Sequence, residues 1–147
     1  MNDLYSVSEV KMTYETKVKE KVKVNTSMKI YKLMLQNWEQ IEYRETFKIL
    51  LLDRATQALG INTVSLGGIS EAIVDLRMIF QVALLANASS LVCVHNHPSG
   101  NVQPSIEDDL MTFKILAASK VMNIELVDHL IISDYRYYSY ADCGRFN

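Results

Sequence analysis

Two histidines one residue apart close an apolar run in the stretch 91-LVCVHNHPSGNVQPSIEDDL-110. In extended chain, the spacing of His95 and His97 directs both imidazoles to one face, where they can converge on a single ion. Pro98 removes a backbone donor and stops the strand, and Gly100 permits a tight turn. A helix beginning near Pro104-Ser105 puts Asp108 in its first turn, and the loop is long enough to bring that carboxylate back beside the imidazoles. Two histidines and a carboxylate are a common ligand set for Zn²⁺, with a fourth position left for water. Such an open site lowers the pKa of bound water from about 15.7 to about 7 and makes hydroxide available at neutral pH.

Each part has a plainer explanation. Ser105-x-x-Asp108 is also the pattern of a capping box, and acidic residues favour helix N-termini because of the dipole. A histidine pair at a turn is more often structural. The conjunction of His-x-His-Pro with Ser-x-x-Asp at short range is what points to a metal, and a cap that fixes the direction of the carboxylate is compatible with its being a ligand. Asp109 points about 100° away from Asp108 on a helix and is the weaker ligand candidate. Asn96 is expected to orient the turn. Cys93, one strand period before His95, either lines the site or is simply buried.

These side chains need a frame. The alternation in YETKVKEKVKV, Tyr14 to Val24, fits an exposed or edge strand, with a solvated arm as the alternative. Thr26 or Ser27 can cap a helix carrying Ile30, Leu33, Met34 and Trp38. Phe47 to Leu52 reads as a buried strand closed by Asp53, and residues 58–66 as its antiparallel neighbour, with a flexible exit at Gly67-Gly68. Asp75 can cap a helix with Ile79, Val82, Ala83 and Ala86 at helical spacing. Leu91 to Val94 is a short strand. Ser105 to Val121 is a long amphipathic helix whose apolar face is expected to carry Ile106, Leu110, Phe113 and Leu116. Ile124 to Ile132 is a last strong strand, and the aromatic tail YRYYSYAD is expected to pack back as a short strand and turn. Mixed strands and helices around one sheet give an α/β or α+β domain. Residues 1–26 are expected to form an N-terminal strand or arm, and 27–147 the domain.

The chain has 147 residues, 49% apolar and 22% charged, with a formal net charge of -2. That balance argues against a chain whose main task is gripping phosphates, although it leaves room for a local basic patch. Two cysteines are too few for a disulfide framework. The first residues show no signal-peptide pattern, and no apolar run approaches the roughly 18 residues of a membrane span. Cytoplasmic residence is the expectation.

The string HNHPSG…PS..D…T, followed by a distal DHLII, resembles the RadC branch of the JAB1/MPN metalloproteases and their JAMM motif. The resemblance runs over about residues 40–143, from YRETFKILLLDR to VDHLIISDYRYYSYADCG. It implies a single JAB1/MPN-like domain with a mixed central sheet flanked by helices. It also implies that His95, His97 and Asp108 bind one zinc ion and that Ser105 helps stabilise an oxyanion. Glu45 matches the family's upstream catalytic glutamate. Spacing alone reads Glu45 as an ordinary charged strand end, and Glu42 is a competing candidate closer to the surface. His129 matches the family's Asp-His pair, and a satisfied structural histidine near the site is the expectation for it. The letters His-Asn-His also suggest HNH nucleases, but those need a ββα-metal unit with a distant further histidine.

The implied activity is zinc-dependent hydrolysis of a peptide or isopeptide bond in a peptide or protein substrate, with Glu45 as the proton carrier. The competing expectation is a metal-stabilised module that binds DNA or a protein without turnover, and nuclease action is a weaker third. Longer RadC proteins are expected to carry a helix-hairpin-helix region, for which no room is seen before Glu45, so nucleic acid as a partner finds no support here. Leu76 stands where the family often has proline, which should alter the helix entry and leave the chemistry untouched.

Overall fold

In a computed structural model, residues 7–15, 20–67 and 74–146 are described. A five-stranded sheet is assembled from β1 (Thr46–Leu52), β2 (Ala58–Leu66), β3 (Ser90–Asn96), β4 (Glu125–Ile132) and β5 (Tyr137–Ser139), in the order β2-β1-β3-β4-β5. β1 runs antiparallel to both β2 and β3, β3 and β4 are parallel, and β5 returns antiparallel to β4. Parallel neighbours cannot be joined by a hairpin. The crossover from β3 to β4 is the helix α3 (Ile106–Met122), which follows the histidine turn directly. The architecture is the mixed α+β sheet that the alternation of elements implied.

β1 and β3 read as unbroken apolar runs because both faces are covered. On one face, Phe47, Ile49, Leu51, Leu91 and Cys93 pack with Ile79, Phe80 and Ala83 of α2 (Leu76–Leu85) and Ile115 of α3. On the other, Leu50, Leu52, Val92, Val94, Leu130 and Ile132 pack with Ile30, Tyr31 and Met34 of α1 (Ser27–Gln36). The helix starts follow their caps. Thr26 Oγ1 accepts from Lys29 N, and Asp75 accepts from Arg77 N, so α2 enters at Leu76 on a side-chain cap without a proline. Asp53 turns the chain between β1 and β2 by accepting from Ala55 N and Gln57 N.

Two expectations change. No strand forms among the described residues of the Tyr14–Val24 alternation, residues 16–19 lying outside them. The segment meets the β1–β2 turn instead of a strand's length. Val24 N donates to Thr56 O, Ala58 N to Val22 O, and pairing is limited to one bridge, Lys23 to Gln57. The Gly67-Gly68 exit also reaches outside the described residues at Gly68. The second change concerns α3. Its inward face carries Thr112, Ile115 and Ser119, whereas Ile106, Leu110 and Phe113 are exposed and Leu116 is half-buried. The rotation of this helix is set by its first turn, which must aim Asp108 at β3. Residues in register with Asp108, at i+4, i+7 and i+11, therefore face the sheet. No helix among the described residues is long and apolar enough to cross a membrane.

Candidate metal centre

The site lies at the end of the sheet where β1 begins and β3 ends. His95 is paired opposite Phe47 of β1 and beside Ile131 of β4, and its ring is almost fully enclosed. The β3–β4 pairing continues one residue past the strand, His97 N donating to Ile132 O, which keeps His97 on course beside His95. The chain then turns, Gly100 N donating to His97 O. Gly100 has φ of 85°, a backbone conformation that favours glycine, and a Cβ there would come within 3.3 Å of the Tyr135 hydroxyl.

Asp108 arrives on the capping box of α3. Ser105 Oγ accepts from Asp108 N at 3.0 Å, and Ser105 N donates to Asp108 Oδ2 at 2.8 Å. The same carboxylate places Oδ1 3.1 Å from His95 Nε2 and Oδ2 3.2 Å from His97 Nε2. Cap and site roles thus coexist in one side chain. Ser105 itself is exposed at the mouth.

Glu45 comes from outside this unit. It immediately precedes β1, and its Oε1 lies 3.9 Å from His95 Nε2. Asn96, fully buried at the end of β3, braces the approach. Its Oδ1 accepts from Thr46 N at 2.8 Å, and its Nδ2 donates to Ile41 O at 2.7 Å and Arg44 O at 2.8 Å. Glu45 O in turn accepts from Gly67 N at the end of β2. Asn96 therefore holds the segment that carries Glu45 as well as ending its own strand.

One ligand atom from each of Glu45, His95, His97 and Asp108 lies within 4.8 Å of the others. The donor set suits a small divalent cation. Zinc–nitrogen and zinc–oxygen bonds near 2.1 Å at tetrahedral angles separate ligand atoms by about 3.4 Å. The two Nε2 atoms stand 3.1 Å apart, and their distances to Asp108 are similar. His97 Nδ1 donates to the Asn101 carbonyl at 2.7 Å, which in the neutral ring leaves Nε2 bare and facing the cluster. So compact a group of donor atoms could hold a cation between them. The protonation states reflect the same closeness. Burial works against a charge on His97, but Asp108 and the Asn101 carbonyl outweigh it and raise its pKa. Burial likewise pushes Asp108 up, yet the imidazoles of His95 and His97 beside it hold it well below the usual carboxylate range.

Residues 24–145 match the family model of the RadC-like JAB domain. This chain belongs to the RadC-like JAB family. Among its relatives are UPF0758 proteins of Methanosarcina mazei, 38% identical over 95% of this chain and 61% of the relative, and of Thermotoga maritima, 38% identical over 83% and 54%. That of Flavobacterium johnsoniae is 35% identical over 69% and 44%. The chain thus spans about half the length of the curated relatives it matches.

The other candidates fall elsewhere in this RadC-like domain. Glu42 is exposed, and Asp134 beside it raises its carboxyl above the usual range. Asp109 turns away from the cluster to accept from the Tyr140 hydroxyl at 2.7 Å and to pair with Arg145 at 2.8 Å. Cys93 is buried in the core beneath α2 and α3, and burial drives its thiol pKa far up. His129 lies behind His95 with its Nε2 2.8 Å from His95 Nδ1, and burial, then the neighbouring His95, lowers its pKa well below the ordinary value. Thr112 closes the motif string read in the sequence, which gave it no role. It sits one turn beyond Asp108 on the same face of α3, and that i+4 relation was the available signal.

Proposed function

We propose that this chain is a zinc-dependent hydrolase of the JAMM type, acting on a peptide or isopeptide bond. The observation that carries the reading is the convergence of two imidazoles, one carboxylate pinned by its helix cap, and a second carboxylate from the residue just before β1. His95, His97 and Asp108 hold the ion, which when bound supplies Lewis acidity that makes water nucleophilic near neutral pH. Glu45 is the proton carrier. It accepts a proton from the attacking water as the oxygen bonds to the carbonyl carbon. It returns that proton to the leaving nitrogen as the C–N bond breaks, so the group ends each cycle as it began. Ser105, at the mouth with its oxygen accepting from Asp108 N, keeps its hydroxyl hydrogen to donate to the developing oxyanion.

About one zinc ion per chain is expected to co-purify, and His97→Ala is expected to remove it; unchanged metal content in that folded variant refutes the ligand assignment. Glu45→Gln separates an enzyme from a binding module. An enzyme keeps its metal and loses hydrolysis of a peptide or isopeptide probe. A protein whose function survives that substitution uses its metal for structure alone.

A further inference from the structure

A buried chain of hydrogen bonds runs behind the site from His95 to the backbone of α3. His95 Nδ1 lies 2.8 Å from His129 Nε2, His129 Nδ1 lies 2.5 Å from Thr112 Oγ1, and Thr112 Oγ1 lies 2.6 Å from Asp108 O. We infer that His129 and Thr112 are positioning residues that fix the tautomer of His95, leaving its Nε2 bare for the metal. The inference rests on the reading of His95 as a metal ligand and concerns how that ligand is prepared.

The assignment follows from counting hydrogens. A carbonyl oxygen only accepts, so the single hydroxyl hydrogen of Thr112 goes to Asp108 O. Thr112 then has only lone pairs to offer His129, and His129 Nδ1 must carry a hydrogen and donate it. His129 is 1% exposed, stacked on Tyr140 at 5.1 Å and edge-on to Phe47 at 5.7 Å. Neither hydrogen-bond partner of its ring is a carboxylate, so nothing directly bonded to it offsets a positive charge. The neutral ring with hydrogen on Nδ1 has a bare Nε2. His95 Nδ1, facing that lone pair, must therefore be the donor. In the neutral form of His95 the other nitrogen, Nε2, is left without hydrogen and turned toward Asp108 and His97.

A ligating histidine usually donates its second nitrogen straight to a carbonyl or carboxylate. His97 does so here through Asn101 O. His95 lies too deep in the sheet for that and reaches a carbonyl through two intermediaries. The carbonyl belongs to Asp108, which itself faces His95 with its carboxylate. One helical turn thus sets both the third ligand and the hydrogen pattern of the first. Replacing Thr112 by valine removes the oxygen and frees His129 to carry its hydrogen on Nε2. His95 would then accept at Nδ1 and hold its own hydrogen on Nε2, where it blocks the ion.

The test combines ring ¹⁵N NMR of the metal-free protein with zinc affinity measured by chelator competition. Wild type is expected to show neutral His95 protonated at Nδ1. Hydrogen at Nε2 overturns the inference even if the protein never binds zinc. Thr112→Val is expected to shift His95 toward the Nε2–H form and weaken zinc binding by about 10–100-fold; Thr112→Ser is expected to restore both. A folded Thr112→Val protein with wild-type tautomer and affinity overturns it as well. If Thr112→Val does not fold, the wild-type spectrum decides alone. Failure of wild type to bind zinc, with the tautomer as stated, sinks the metal reading and spares the hydrogen-bond chain.

Discussion

Replacing Asn96 by alanine tests whether a side chain with no place in the metal cluster holds Glu45 in position. The carboxamide is fully buried and makes three hydrogen bonds, to Thr46 N, Ile41 O and Arg44 O. At about 1 kcal/mol net for each, their loss costs about 3 kcal/mol, and more where water cannot reach the abandoned groups. A domain of this size is stable by about 5–15 kcal/mol, so the variant is expected to fold with a clear deficit. With a urea slope near 2 kcal/mol per molar, the unfolding midpoint should drop by about 1.5 M. Zinc affinity should stay near wild type, since His95, His97 and Asp108 are supported by His129, Asn101 and Ser105. Hydrolysis should fall, because residues 41–46 are released. A loss below about 1 kcal/mol, or hydrolysis unaffected by a full 3 kcal/mol loss, would refute the brace.

Three further outcomes are expected. Ile115→Ala, in the core, should cost about 2–5 kcal/mol in chemical denaturation, while Leu110→Ala, on the exposed face of the same helix, should stay within about 0.5 kcal/mol; equal effects would overturn the orientation of α3. Thr26→Ala removes the acceptor for Lys29 N and should lower stability by about 1 kcal/mol, whereas Thr26→Ser should not. The Asp53 carboxyl is held below its ordinary range by hydrogen bonds from the Gln57 and Ala55 amides and by Lys21. Its folded pKa is therefore lower than its unfolded one, so its contribution is complete above about pH 4 and is lost as pH falls through the folded value. Asp53→Asn should flatten that part of the acid limb of a stability profile, and an unchanged slope would contradict it.

The elements were legible in the sequence where local chemistry decides them. The Thr26, Asp75 and Ser105 caps each start a helix, and the run from Phe47 to Leu52 is the core of β1. Ile106, Leu110 and Phe113 mislead because helical spacing reveals a stripe but not which way it turns. The demand that Asp108 face β3 overrides apolarity on that helix. Tyr14 to Val24 misleads for a related reason, since alternation permits a strand but does not supply the backbone pairing that makes one, and among its described residues that pairing stops at the Lys23–Gln57 bridge. His95, His97 and Asp108 were readable because they lie close in sequence and their types are specific. Glu45 was readable only through family resemblance, since nothing local marks it. The roles of Asn96, Thr112 and His129 depend on contacts 17 to 55 residues away in sequence, which no local pattern contains.

The crossover from β3 through α3 to β4 has a consequence for the order of assembly. His95, His97, Asp108, Thr112 and His129 all belong to residues 95–129, whereas Glu45 must be brought in from β1. Joining Glu45 to Asp108 closes a segment about five times longer than joining His95 to Asp108, an added chain-entropy cost of about 1.4 kcal/mol. On the proposed function, the three metal ligands can therefore gather while Glu45 is still outside, giving a nascent domain that holds metal but is inert. Trp38, the sole tryptophan, sits under the Lys48 ammonium at 5.1 Å and reports the docking of β1. In refolding, uptake of metal is expected to run ahead of the Trp38 signal, so that hydrolytic competence arrives only with a finished sheet.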